Sequence, residues 1–309
     1  VPFDASPVLQ AASLTPYQAL GIPIALVGAV FLSLGAQLQS QGVAKMEARG
    51  TKSTAGLSLR QLGALLGRPS WVAGTVMLGL AIVFQLASLR LAPLIVVQPL
   101  GAVALVVTAV LNSRATGKRL DLKAKRAVAL CIGGVGLFVI FAAVFAKETP
   151  IRTPELITIL VILAAVLALL GGLFLYFRRH VQAIFYIISA GVLYGFVATL
   201  AKVVINRLTT GDFDVLTAVC IVALVAATLL GAYFVQTAYS SGPPDLVIAG
   251  LTVVDPLVAV CIGVTVLGEA ADAPLYAGVA FLVAGAVAVA GVFQLAKHHP
   301  HASRPSGGP

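Results

Sequence analysis

Apolar residues fall in long uninterrupted runs that are closed by charges, prolines or glycines. They place nine helices at about 20–44, 70–89, 93–113, 127–145, 156–177, 182–206, 216–238, 246–267 and 275–296. Runs near 20 apolar residues are the length that spans a bilayer, so the pattern predicts an all-α, polytopic membrane bundle. The longest link, Lys45–Pro69, contains Leu57–Gly67, an apolar stretch with one Arg that suits a short interfacial helix.

Composition leads to the same class. Of 309 residues, 60% are apolar and 10% charged, whereas soluble domains run near 45–50% and about 25%. Too few polar side chains remain to cover a water-facing surface, and disorder is excluded for the same reason. No Lys or Arg precedes Lys45, so no cleavable secretory signal is expected, and residues 1–19 form a flexible lead-in.

The net charge of +9 would suggest nucleic acid in a soluble chain. Here its placement matters more. Fifteen of the 20 basic residues fall in the links on one side and in the tail, four (Arg90, Lys147, Arg152, Arg207) fall on the other, and Lys202 lies within a helix. The positive-inside rule then predicts a cytoplasmic C-terminus, an external N-terminus and a multi-pass protein of the cell membrane. No nucleic-acid partner is expected; the partners are the bilayer and a small solute, with a homodimer left open. Cys131, Cys220 and Cys261 lie in apolar stretches without metal or disulfide spacing and are read as small buried hydrophobes.

Internal self-similarity is informative. Phe84–Ala87 followed by Leu94–Leu100 (LIVVQPL) parallels Phe234–Ala238 followed by Leu251–Leu257 (LTVVDPL). Each copy has a Gln-bearing helix end, then a helix with Pro99 or Pro256 inside it. An internal proline withholds a donor and frees a carbonyl, so both are read as helix breaks. Matching broken helices in two halves predict a transporter with its site at the repeat interface. The plan is 4+1+4 and inverted: residues 20–145 form the first four-helix repeat, 146–181 a linker helix, 182–296 the second repeat and 297–309 a cytoplasmic tail.

Charged residues inside spans are functional by default. Asp255, mid-helix, and Lys202 stand out, and an ion pair between them would lower the cost of burying each. The other site residues are Gln98 (the repeat counterpart of Asp255), Gln85, Gln236, Tyr194 and Gln37. Glu269 is read as a cap, a gate or a solvated loop acid. No GxxxxGK[ST] loop, HExxH or Ser/His pairing is present, so an ATP-driven pump or an intramembrane hydrolase is unsupported and neither a cofactor nor catalysis is expected.

Ala92–Gly101 (APLIVVQPLG), Gly117–Leu120, Leu251–Leu257 and Gly268–Glu269, in this order, resemble the drug/metabolite transporter (EamA-like) superfamily. Among its branches they are most similar to actinobacterial members related to the NIPA magnesium transporters, with a nine-span plan, and Thr199–Lys202 is similar to a small-residue-plus-lysine motif of that family. The resemblance covers about 20–296. It implies a secondary transporter or exchanger working by alternating access, open to proton coupling, with Gln98, Lys202 and Asp255 lining a central cavity. Gly117–Lys118 stands where Gly-Glu would be typical. A lone intramembrane acid beside a lysine suits Mg²⁺ poorly, so the expected solute is a small metabolite, a drug-like molecule or a lipid-linked sugar. The alternatives are Mg²⁺ transport and a non-transporting scaffold.

Overall fold

The computed structural model describes residues 14–47, 67–116, 122–177, 183–241 and 244–297, and among these there are helices and no strand. After a single turn at Pro16–Ala19 come α1 (Gly21–Glu47) and α2 (Pro69–Leu91). The next helix, α3, runs as Leu94–Leu100 and then as Val103–Thr116. It is followed by α4 (Leu122–Phe145), α5 (Thr153–Phe177), α6 (Ala183–Thr210), α7 (Val215–Ser241), α8 (Pro244–Thr265) and α9 (Leu275–Lys297). Among the described residues, nine spans are long and apolar enough to cross a membrane, with the two parts of α3 counted as one. The expected span count therefore holds. Most of Leu57–Gly67 lies outside the described residues.

Consecutive helices alternate in direction. The links after α2, α4, α6 and α8 gather at the end where α1 begins, here the N-terminal end. The Leu14 amide reaches the Ala143 carbonyl there, and the Arg90 side chain reaches Thr209.

Glycine sets the closest helix crossings. A Cβ on Gly134 would lie 2.4 Å from the Ala288 amide nitrogen, and one on Gly291 2.4 Å from that of Cys131. The antiparallel pair α4–α9 thus packs backbone to backbone, as small residues allow in a membrane. Gly35 and Gly74 do the same for α1 and α2. Gly191 and Gly195 receive Val254 and Val258, which seats α8 on α6. Gly79, beside Gly74, faces open space and plays no part in packing.

The two internal prolines behave differently. At Pro99 the ladder tightens: Gly101, Ala102, Ala104 and Leu105 all donate three residues back, to Gln98, Pro99, Gly101 and Ala102. These bonds satisfy the backbone through the break, which hydrocarbon surroundings demand. Pro256, expected to break its helix, does not; α8 is continuous from Pro244 to Thr265. Pro99 is followed by the weak helix former Gly101, whereas the turn around Pro256 is clasped by Gly191 and Gly195 of α6. Cys261 also departs from expectation, lying exposed on α8 while Cys131 and Cys220 are buried.

Candidate functional site

A polar cluster and, deeper, separate buried polar atoms lie within the bundle. The first is at the N-terminal end and grows from the start of α3. Pro93 occupies the N-cap and offers no side-chain acceptor, so the first amides of α3 need a partner from elsewhere. Glu269 supplies it: the Leu94 amide donates to Oε1 at 2.8 Å and the Ile95 amide to Oε2 at 2.9 Å. Gly268, at φ 67, makes the turn that carries Glu269 inward, and the Glu269 amide donates to the Gly263 carbonyl. Lys202 of α6 completes the arrangement. Its ammonium lies 2.9 Å from Glu269 and 2.8 Å from Glu148, and it donates to the Ala92 carbonyl at 3.2 Å. All three ammonium donors are used.

Lys202 is 2% exposed and Glu269 1%. The expected pairing of Lys202 with Asp255 is therefore replaced by a pairing with Glu269 and Glu148. Helix α6 continues to Thr210, which sets Lys202 two turns inside its end, beside the α8–α9 turn. It does not snorkel, and Glu269 is no solvated loop acid. Glu148, in the α4–α5 link, has its carboxyl raised above the usual range chiefly by burial and also by the Glu269 charge, against the pull of Lys202 and Arg90. Around this cluster the end is zipped by Lys147–Asp272 at 2.8 Å, by Arg207–Asp214, and by Thr149 donating to the Leu267 carbonyl.

The separate buried atoms lie on α8, α3 and α6. Asp255 sits midway along α8, and its Oδ1 is shut off from solvent without a hydrogen-bond partner. Gln98, 6% exposed, has its amide nitrogen likewise unpartnered, as does the Ser189 hydroxyl. Gly195 brings α6 against the Asp255 carbonyl. Tyr194, on the same turn, packs its ring over Gly231. Buried polar atoms without partners are uncommon, and each calls for a cause such as an absent ligand or water.

The remaining expected residues lie on other helices. Gln85 on α2 and Gln37 on α1 are half-buried, and Gln236 is exposed on α7. Gln39 is engaged in a bond to Thr75. A cavity of about 90 Å³ lies between Pro99, Ala102, Phe138, Pro256, Val260 and Ala288. Its walls are almost wholly apolar, so it lies beside the chemistry and holds none. Among the described residues no three His, Cys, Asp or Glu side chains are grouped to hold a metal ion.

Sequence reasoning left Glu269 open between a cap, a gate and a loop acid, and missed Glu148. The available signal was the start of α3: an apolar helix opening on Ala92–Pro93 has uncapped amides, and an acid after a glycine, as in Gly268–Glu269, is the kind of group that can cap them across the fold.

Comparison with known proteins bears on the chain as a whole. The family model described as Magnesium transporter NIPA matches residues 17–187, that is α1 to α5 and the start of α6. An uncharacterised protein of Corynebacterium glutamicum is 26% identical over 205 residues, covering 65% of this chain and 70% of that protein. No solved structure matches the chain.

Proposed function

The chain belongs to the NIPA magnesium transporter family, and from that premise we propose that this multi-pass membrane transporter moves a cation, Mg²⁺ first, through the polar seam around Asp255. The observation that carries the reading is the pairing of Lys202 with Glu269 and Glu148. It leaves Asp255 uncompensated by any lysine and so removes the objection to a cation there. The unpartnered Asp255 Oδ1 supplies a carboxylate oxygen. Mg²⁺ dehydrates reluctantly and is commonly held through one or two carboxylates while it keeps several waters, which suits a seam with one acid and neutral polar neighbours.

The same reading takes residues 20–145 and 182–296 as inverted repeats about the linker 146–181, rocking to give alternating access. The α4–α9 pairing, between the last helices of the two repeats, supports this plan. The basic bias supports a cell-membrane protein with the N-terminal end outside and the C-terminus cytoplasmic. The family is one of transporters, which agrees with the lack of an enzyme motif.

A second reading is favoured by Tyr194, next in the chain to the Gly195 that meets the Asp255 backbone, and by the lack of a three-ligand group among the described residues: a small organic solute bearing an amine, held by the carboxylate and the aromatic face. Equilibrium binding to the protein in nanodiscs separates them. Mg²⁺ binding that weakens at least tenfold in Asp255→Asn is the expected result. Methylammonium binding without Mg²⁺ binding transfers the site to the second reading. Mg²⁺ binding that is unchanged in Asp255→Asn removes the site.

A further inference from the structure

With Asp255 taken as the solute contact, the buried cluster at the N-terminal end has no part in holding solute. We propose that Lys202, Glu269 and Glu148 form the gate that closes the transport path at this end, and that Glu269 is a positioning residue tying the gate to Gln98 through the half-helix Leu94–Leu100. The proposal rests on the reading of the chain as an alternating-access transporter.

The core of the cluster is a closure rather than a binding site because Lys202 and Glu269 have no valence to spare; of the cluster's polar atoms only Glu148 Oε2 is without a partner. The ammonium has three acceptors, Glu269 accepts from two amides and one ammonium, and both side chains are sealed from solvent. It also joins the segments that must part. Ala92, Leu94 and Ile95 belong to the first half, Glu148 to the linker, and Lys202 and Glu269 to the second half. The Arg90 guanidinium Nε bridges to Thr209 Oγ1 at 3.0 Å along the same seam. Opening this end requires Lys202 to leave the Ala92 carbonyl, or Glu269 to leave the α3 amides.

The second event reaches the solute site directly. Leu94–Leu100 is a seven-residue segment, held at its start by Glu269 and loosened at its end by the turn at Pro99–Ala102. Gln98 lies three residues beyond Ile95, within one helical turn. A segment this short moves as a unit, so releasing its amides shifts Gln98 as well. Amides stripped of Glu269 are orphaned and need water, which an opened end admits and a closed one excludes.

The test locks the seam without substituting a cluster residue, and the unbridged double-cysteine protein controls for the loss of the Arg90 charge near Glu148. Arg90→Cys and Thr209→Cys, both exposed, are introduced together with Cys261→Ser and bridged by a short bifunctional methanethiosulfonate; Cys131 and Cys220 stay buried. Hydrogen exchange of the Leu94 and Ile95 amides in nanodiscs and Mg²⁺ flux in proteoliposomes are read before bridging, after it, and after reduction. The gate predicts exchange slowed at least tenfold and flux stopped, with both restored by reduction. Unchanged exchange, or flux that continues through the bridged protein, overturns it. If the unbridged protein carries no Mg²⁺ while the bridge still slows exchange, Mg²⁺ as the solute fails and the gate stands.

Discussion

Replacing Lys202 by methionine keeps much of the side-chain volume and deletes the charge. Glu269 then keeps its two amide donors but loses its counter-ion, and Glu148 loses its partner. At an effective dielectric near 20, a pair at the observed separations is worth about 6 kcal/mol before desolvation. Lys202 itself, however, no longer has to be desolvated. Removal of one partner from a buried pair costs roughly 3–5 kcal/mol, and that range is expected here because both Lys202 and Glu269 are sealed. In Lys202→Met/Glu269→Gln the sealed Glu269 charge is no longer stranded, leaving only the less buried Glu148 without its counter-ion, and the amide oxygen still accepts from Leu94 or Ile95. The double variant is expected to cost about 2 kcal/mol less than the sum of the singles. Unfolding in mixed micelles by added SDS, followed by helical circular dichroism, measures all four proteins. A Lys202→Met cost below about 1 kcal/mol, or additive costs in the double variant, would refute the account of this cluster as a buried network.

Other outcomes follow from packing and charge. Gly134→Val places side-chain atoms where Ala288 already stands and should cost at least 1–3 kcal/mol in the same assay, whereas Gly79→Ala, with open space around it, should be neutral or stabilise by up to about 1 kcal/mol. Ser33→Ala removes the hydroxyl that bonds the Ala29 and Ala104 carbonyls and should cost about 1 kcal/mol. Asp214 is held down to about 2 by the Thr217 amide, the Thr217 hydroxyl and Arg207. Its contribution to stability is therefore present above the ordinary value of 3.8 and is lost as pH falls toward 2. Protection of the Thr217 amide against exchange should drop in that window, and Asp214→Asn should show no such step.

The spans were legible because apolar runs of membrane length admit few alternatives, and their count and order agree with the structure. The break in α3 was legible for the same kind of reason, since Pro99 and Gly101 act locally. Pro256 was not, because whether a proline breaks a helix depends on its neighbours, here Gly191 and Gly195 some 60 residues earlier in the chain. Asp255 and Lys202 were visible as charges inside spans, but their partners were not. Glu269 and Lys202 meet only because α6 runs two turns past Lys202 and the Gly268 turn folds inward. Gln85, Gln236 and Gln37 were chosen by residue type, which does not say which side of a helix faces outward; Gln236 lies on the exposed side of α7.

Mg²⁺ flux into proteoliposomes, comparing the wild type with Asp255→Asn at matched incorporation, tests the central claim most directly. The account predicts Mg²⁺ uptake by the wild type and at least a tenfold loss in Asp255→Asn, while the variant keeps its helical signal. Uptake by Asp255→Asn equal to the wild type, or no uptake by either, would contradict it.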